Sequence, residues 1–431
     1  MAVKNAVVLS RGQFRSGHAK TAHGLILHGK KYRVVAVIDE TCAGHDAGEL
    51  MGIGHRGIPV VAGLDKVPGI GYRVSGIGDR VTTDDEDKRL DRSPISGTRY
   101  PIPETRYPIP ETRDPIPETR NPIPNTLIIG VAPAGGHLPA RWRKDIRDAI
   151  ERGMDIVSGL HDFLVDDPEL AALARKMGVK IWDVRRPPEK PVLFKGLPSP
   201  VPVVLICGTD AASGKRTVTA ELHRAARARG IDAAYIATGQ TGMMVGADAG
   251  VAIDHVPGDF MSGTVEDMVQ RMVRKGHELI FVQGQASLTH PAYGPVTLGI
   301  LFGARPHYVV MVHVHGRRFR PSFPDQPVNH PMDEYALVRR LSGAEAVGIA
   351  LNCRGTADPA SVCREYESST GLPAVDVLKD GPGKILDSLL IRLRDDRRFH
   401  YGPGLKKAIH ELRNAPAHKT ASPEKRRGRS P

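Results

Sequence analysis

The chain has 431 residues, 40% of them hydrophobic and 25% charged, an ordinary globular composition with length for two or three domains. No run of about eighteen apolar residues occurs, which argues against a membrane-spanning helix. The net charge of +12 invites a nucleic-acid reading, but eight Lys or Arg against two Glu from Leu405 onward carry half of it, so a nucleic-acid partner is not expected.

The N-terminal "MAVKNAVVLSRGQF" lacks a basic region followed by an apolar core and a cleavage site, and a cytoplasmic location is expected. Strands are predicted at "RVVAVID" (33–39), "IPVV" (58–61), "TLIIGVA" (126–132), "DIVSG" (155–159) and "VKIWDV" (179–184), with helices at 139–153 and 168–178. This alternation predicts an α/β domain over 1–190 with a mostly parallel sheet. Within it, "GIGHRG" (52–57) matches the letters of a dinucleotide-binding turn, but it precedes a strand instead of following one and is read as a plain loop. Residues 99–126 hold four seven-residue units, "RYPIPET", "RYPIPET", "RDPIPET" and "RNPIPNT". Two prolines per unit exclude helix and central strand, and 75–124 is read as an extended insertion serving as a spacer.

A Pro-rich joint, "RRPPEKPVLFKGLPSPVP" (185–202), leads into a second α/β series, read as a domain over 200–398. Its strands are predicted at 202–207, 232–237, 278–283, 307–314, 346–351 and 373–378, and its helices at 214–229, 264–275, 333–342, 359–370 and 383–395. The basic segment 405–431, rich in Ala, Pro and Ser, is read as a disordered tail. The scattered Cys42, Cys207, Cys353 and Cys363 form no C-x-x-C pair, fit reduced buried thiols and give no metal site. Two His at i, i+2 in "HVHGRR" (313–318) lack an obvious third ligand and are read as polar residues at a strand end.

The stretch 206–219, "ICGTDAASGKRTVT", carries the chemistry. A β-run ends at Cys207, a Gly-containing turn follows, and a helix opens near Lys215. Backbone N–H groups and the helix dipole make such a turn an anion cradle, to which a lysine adds a point charge. Two features depart from a triphosphate-hydrolysing loop. Arg216 stands where a Mg²⁺-binding hydroxyl directly follows the lysine, with Thr217 one place late, and the strand expected to end in a metal-binding acid ends in Gln283. Two more turns, "ATGQTGMM" (237–244) and "QGQASLTHPAYG" (283–294), follow strands of the same series and are predicted to meet the loop at the C-terminal ends of the sheet.

With these residues the chain resembles the D-glutamate N-acetyltransferases, which have a Rossmann-like N-terminal domain and a P-loop NTPase-like C-terminal domain. The likeness lies in "AKTAHGLILHGKKYRVVAVIDETCAGHDAGE" (19–49), "IIGVAPAGGHLPARWR" (128–143), "DIVSGLHDFLVDDPELAALA" (155–174), "IWDVRRPP" (181–188), "GTDAASGKRT" (208–217), "ATGQTG" (237–242) and "HPAYGPVTLGILFG" (290–303). It implies two parallel-sheet α/β domains and transfer of an acetyl group from acetyl-CoA to the amine of an acidic amino acid, D-glutamate foremost. On that reading Gly208, Thr209, Ser213, Gly214, Lys215, Arg216 and Thr217 hold the coenzyme A phosphates. Gln240, Thr241, Gln285, Ser287 and Tyr293 contact substrate, Asp210, Asp259 and His290 are candidates for proton transfer, and no metal is needed. The expected partners are a small-molecule substrate and further copies of the chain in a homo-oligomer. The family's Glu-Gly-Gln-Gly-Ser is here Gln283-Gly284-Gln285-Ala286-Ser287. Two other readings stay open. One is an ATP- and Mg²⁺-dependent ligase or kinase-like enzyme resembling dethiobiotin synthetase, whose "GTD" turn also has five residues between its glycines. The other is a non-enzymatic nucleotide-binding or scaffold protein using the repeat and the tail.

Overall fold

The computed structural model describes residues 3–70, 123–131, 136–321 and 323–414. All but the last two residues of the insertion read at 75–124 lie outside them. The chain divides into two compact units, Met1–Ile26 with Tyr32–Asp183, and Leu27–Lys31 with Val184–Pro431.

In the first unit the elements run β1 (Lys4–Leu9), α1 (Lys20–His28), β2 (Tyr32–Ile38), α2 (Ala47–Leu50), β3 (Val60–Val61), β4 (Thr126–Ile129), α3 (Ala140–Glu151), β5 (Asp155–Ser158), α4 (Pro168–Met177) and β6 (Ile181–Asp183). The strands pair in parallel in the order β3-β2-β1-β4-β5-β6, the order of a doubly wound Rossmann-like sheet. β1 is absent from the predicted strands yet sits at the centre, with Ala6 to Leu9 fully buried between β2 and β4. The run 52–57 is the loop its context implied. Asp46 fixes it by accepting hydrogen bonds from the amides of Gly48, Arg56 and Ile58. At the end of β2, where a dinucleotide-binding domain keeps a ribose-binding acid, Asp39 accepts instead from the amides of Phe14 and Thr41 and from the Thr41 hydroxyl.

The second unit contains β7 (Val203–Gly208), α5 (Lys215–Ala228), β8 (Ala233–Ala237), α6 (Gln240–Val245), β9 (Ala249–Gly250), α7 (Gly258–Arg274), β10 (Leu279–Gln283), α8 (Gly294–Ala304), β11 (Tyr308–Val314), β12 (Phe319–Arg320), β13 (Phe323–Pro327), α9 (Pro331–Ser342), β14 (Glu345–Asn352), α10 (Pro359–Thr370), β15 (Ala374–Val375), α11 (Gly383–Asp395) and α12 (Pro403–Asn414). Its seven-stranded parallel sheet runs β15-β14-β11-β7-β10-β8-β9, with β12 and β13 as a separate antiparallel pair. Both faces are covered, which is why its strands read as unbroken apolar runs. Val203, Leu205 and Cys207 face Val265, Met268, Ile300 and Leu301 of α7 and α8. Val204 and Ile206 share the opposite core with Val218 and Leu222 of α5 and with Leu386, Leu389 and Leu390 of α11.

The tail reading is corrected over its first part. Pro403–Asn414 is helical, with Leu405 and Ala408 buried, and the Glu278 carboxylate accepts hydrogen bonds at 3.0 Å from the amides of Gly404 and Leu405. Its charges lie along an amphipathic helix, a pattern that residue composition alone conceals. No helix among the described residues is long and apolar enough to cross a membrane.

Candidate phosphate-binding site

β7 ends at Gly208, where a side chain would be crowded. A Cβ there would lie 3.0 Å from Lys215 Nζ and from the Val312 carbonyl, and 3.1 Å from Ser213 Oγ. The loop then turns through Ala212 and Gly214, both at positive φ (53° and 116°), before α5 opens at Lys215. Positive φ at a non-glycine residue such as Ala212 is strained backbone, held by the surrounding fold. Lys215 is buried and its ammonium donates to the Asp210 carbonyl at 2.6 Å and to Ser213 Oγ at 3.2 Å, lining the inner wall of the turn. Thr209 is fully buried, its amide bonded to the Val312 carbonyl and its hydroxyl 2.9 Å from His313 Nδ1. Since α5 begins at the lysine itself, Arg216 keeps the position directly after it. Thr217 does not slide into that place; its hydroxyl accepts from Arg216 Nη2 at 3.3 Å.

β10 lies beside β7, and the second and third turns meet there as expected. Thr238 Oγ1 donates to the Gln283 carbonyl at 2.6 Å, and Gln285 Nε2 donates to the Thr238 carbonyl at 2.5 Å. The Tyr235 hydroxyl donates to Gln283 Oε1 at 2.6 Å. Ala286 adopts φ 33°, the left-handed region that favours glycine, at the place where the resembling family carries Gly. Gln240 and Thr241 open α6 and are half-buried, Ser287 is buried, and Tyr293 stands 45% exposed at the start of α8.

Asp210 and His290 come together, and each is engaged by neighbouring groups. Asp210 is 1% exposed, with Oδ2 at 2.9 Å from Arg317 Nη1 and Oδ1 at 3.3 Å from Arg320 Nη1. His290 Nδ1 accepts from the amides of Ala292 and Tyr293, each at 3.2 Å. That leaves the proton of the neutral ring on Nε2, 3.6 Å from Asp210 Oδ1. Burial pulls the His290 pKa below the ordinary imidazole value, partly offset by Asp210. Asp259 is exposed in the first turn of α7, and no contact joins it to this cluster among the described residues. Cys207 closes off as a nucleophile, because burial pushes its thiol up to about 12.

Arg317 and Arg320 belong to the site and were not foreseen. Arg320 is 2% exposed and donates to the Thr209 carbonyl at 3.0 Å, to Ser287 Oγ at 3.3 Å and to Thr289 Oγ1 at 3.0 Å. Thr289 is held in turn by Glu334, which is fully buried. The "HVHGRR" stretch (313–318) contains Arg317 but is read only for its histidines, and Arg320 lies two residues beyond it.

Fold and site define an α/β protein with a P-loop-type domain joined to a Rossmann-like unit. A family model described as "Domain of unknown function (DUF1611_C) P-loop domain" matches residues 193–386, and one described as "Domain of unknown function (DUF1611_N) Rossmann-like domain" matches 102–187. The chain is 35% identical over 271 residues to a protein from Tritonibacter scottomollicae named D-glutamate N-acetyltransferase, covering 61% of this chain and 80% of that one. A protein of the same name from a Pseudoalteromonas species is 34% identical, covering 61% and 81%. A crystal structure of a DUF1611 family protein from Anabaena variabilis ATCC 29413 aligns with a TM-score of 0.73 and 30% identity over 90% of this chain and 99% of that one. The chain belongs to the DUF1611 family and is related to proteins named D-glutamate N-acetyltransferase.

Proposed function

We propose that this protein transfers an acetyl group from acetyl-CoA to the amine of an acidic amino acid, D-glutamate foremost. The observation that carries the reading is the phosphate cradle at Gly208–Thr217, lacking a metal-binding acid, in a chain 35% identical to a named D-glutamate N-acetyltransferase. Coenzyme A offers a diphosphate and a 3′-phosphate to backbone amides, Lys215 and Arg216. Beside the cradle, Arg317 and Arg320 are aligned by Asp210, and the more exposed Arg317 suits a carboxylate of the acceptor. In the transfer the amine lone pair forms the N–C bond as the C–S bond breaks, and the proton the amine gives up ends on the coenzyme A thiol. Asp210 and His290 act in this reading as positioning residues, while Gln240, Thr241, Gln285, Ser287 and Tyr293 supply substrate contacts.

The test is thiol release from acetyl-CoA across D- and L-amino acids, with ADP release from ATP read in parallel. Thiol release that is strongest with an acidic acceptor, without ADP, is expected. Absence of thiol release, or Mg²⁺-dependent ADP release, would favour the ligase-like reading instead.

A further inference from the structure

P-loop hydrolases hold Mg²⁺ with two groups, the hydroxyl directly after the lysine and a carboxylate at the end of a neighbouring strand. Neither is present here. The first place is Arg216, and the nearest hydroxyl, Thr217 Oγ1, already accepts from Arg216 Nη2 at 3.3 Å. The second is Gln283, at the end of β10 and in register with Ile206 of β7. Its amide is neutral, and its oxygen accepts from the Tyr235 hydroxyl at 2.6 Å. A hard divalent cation seeks anionic oxygen ligands; this pair of positions offers it a guanidinium and an engaged amide. The residues do not fit the metal.

The charge balance shows what replaces it. A carboxylate plus a divalent cation contributes +1 to a phosphate site, and a neutral glutamine plus an arginine contributes the same. Arg216 Nη1 is enclosed in protein without a hydrogen-bond partner. Burial pushes the guanidinium pKa down, and the nearby Tyr235 phenol, raised by its own burial, stays neutral and supplies no counter-charge. A cation with one enclosed, unused donor nitrogen and no anion beside it directly follows Lys215 at the opening of α5.

We infer that Arg216 occupies the role of the divalent cation, so that the loop binds the diphosphate of its ligand without metal. Without the metal, the loop lacks the ion that bridges the β and γ oxygens of a nucleoside triphosphate in a P-loop hydrolase. The loop is thereby a holding site for an unreacted diphosphate. Only the identity of the ligand as coenzyme A rests on the function proposed above.

Calorimetric titration of the full chain with coenzyme A and with inorganic pyrophosphate, each in EDTA and in MgCl₂, tests this. Coenzyme A affinity is expected to agree within about twofold between the two conditions, and Arg216→Ala to weaken it by roughly tenfold or more without rescue by Mg²⁺. The double variant Arg216→Thr/Gln283→Glu restores both metal-binding positions and is expected to bind pyrophosphate roughly tenfold more tightly with Mg²⁺ than without. The thermal midpoint of each variant reports folding, and the wild-type EDTA comparison needs no variant at all. Wild-type binding that requires Mg²⁺, undiminished binding by Arg216→Ala, or no binding of either probe would overturn the inference. Metal-free binding without acetyl transfer would sink the proposed function alone; acetyl transfer with Mg²⁺-dependent binding would sink this inference alone.

Discussion

Asp210, one of the candidates for proton transfer, is paired with two arginines. Its oxygens face Arg317 at 2.9 Å and Arg320 at 3.3 Å, so both are already engaged by guanidinium groups. Removing its charge leaves the buried Arg320 guanidinium without an anion, so Asp210→Asn is predicted to cost about 3 kcal/mol of stability, read as a lower denaturant midpoint. A wild-type midpoint with a lost limb in the pH profile of kcat/KM would restore Asp210 as the base. Lys215→Ala is predicted to raise KM for acetyl-CoA roughly tenfold with kcat little changed; an unchanged KM would remove the lysine from the cradle. The loop was legible in the sequence because strand end, glycines and lysine fall within a few consecutive residues. The arginines were not, because they meet Asp210 across 107 and 110 residues of chain.

Among the elements, α8 and α12 show tertiary contact overriding local preference. "GPVTLGILFGA" holds three glycines, a proline and β-branched residues, and it was not predicted as a helix. It forms because its glycines let α7 approach closely: a Cβ on Gly303 would lie 2.3 Å from the Ser262 carbonyl, and one on Gly299 2.9 Å from Met261 Cβ. Propensity alone makes Gly303→Ala stabilising by about 1 kcal/mol. Close packing makes it destabilising by about 1–3 kcal/mol, because backbone rather than a flexible side chain must move. The contact is the larger effect, so thermal unfolding of Gly303→Ala is predicted to shift down; an upward shift would show that α7 and α8 can separate freely. In α12 the deciding contact is the Glu278 carboxylate at its first amides, more than a hundred residues away in sequence. Short edge strands such as β9 and β12, of two residues each, left no readable pattern.

At the scale of the whole molecule, the two α/β series were readable because sheets covered on both faces impose long apolar strands, as in β7, β10 and β11. The central β1 escaped because only four fully buried residues follow its polar Lys4 and Asn5. What the sequence hides most completely is where charge is excluded. His313 lies buried at the end of β11 against Thr209, with its pKa lowered to about 4 by burial first and by His330, His315 and Arg317 after it. His307, also lowered to about 4 mainly by burial, accepts the Val203 amide on Nδ1 at 3.1 Å and so must stay unprotonated there. Both folded-state values lie below the ordinary 6.5, so the native protein binds fewer protons than the unfolded chain. Their stabilisation is fully present above about pH 6.5 and is lost as pH falls towards about 4. For His313 the loss is about 2 kcal/mol by pH 5 and about 3 kcal/mol by pH 4. The denaturant midpoint should therefore fall between pH 7.5 and pH 5, and His313→Gln should narrow that fall by making one of the contributing sites unable to titrate. A midpoint that holds steady or rises on acidification would mean that these histidines are hydrated and charged in the native protein.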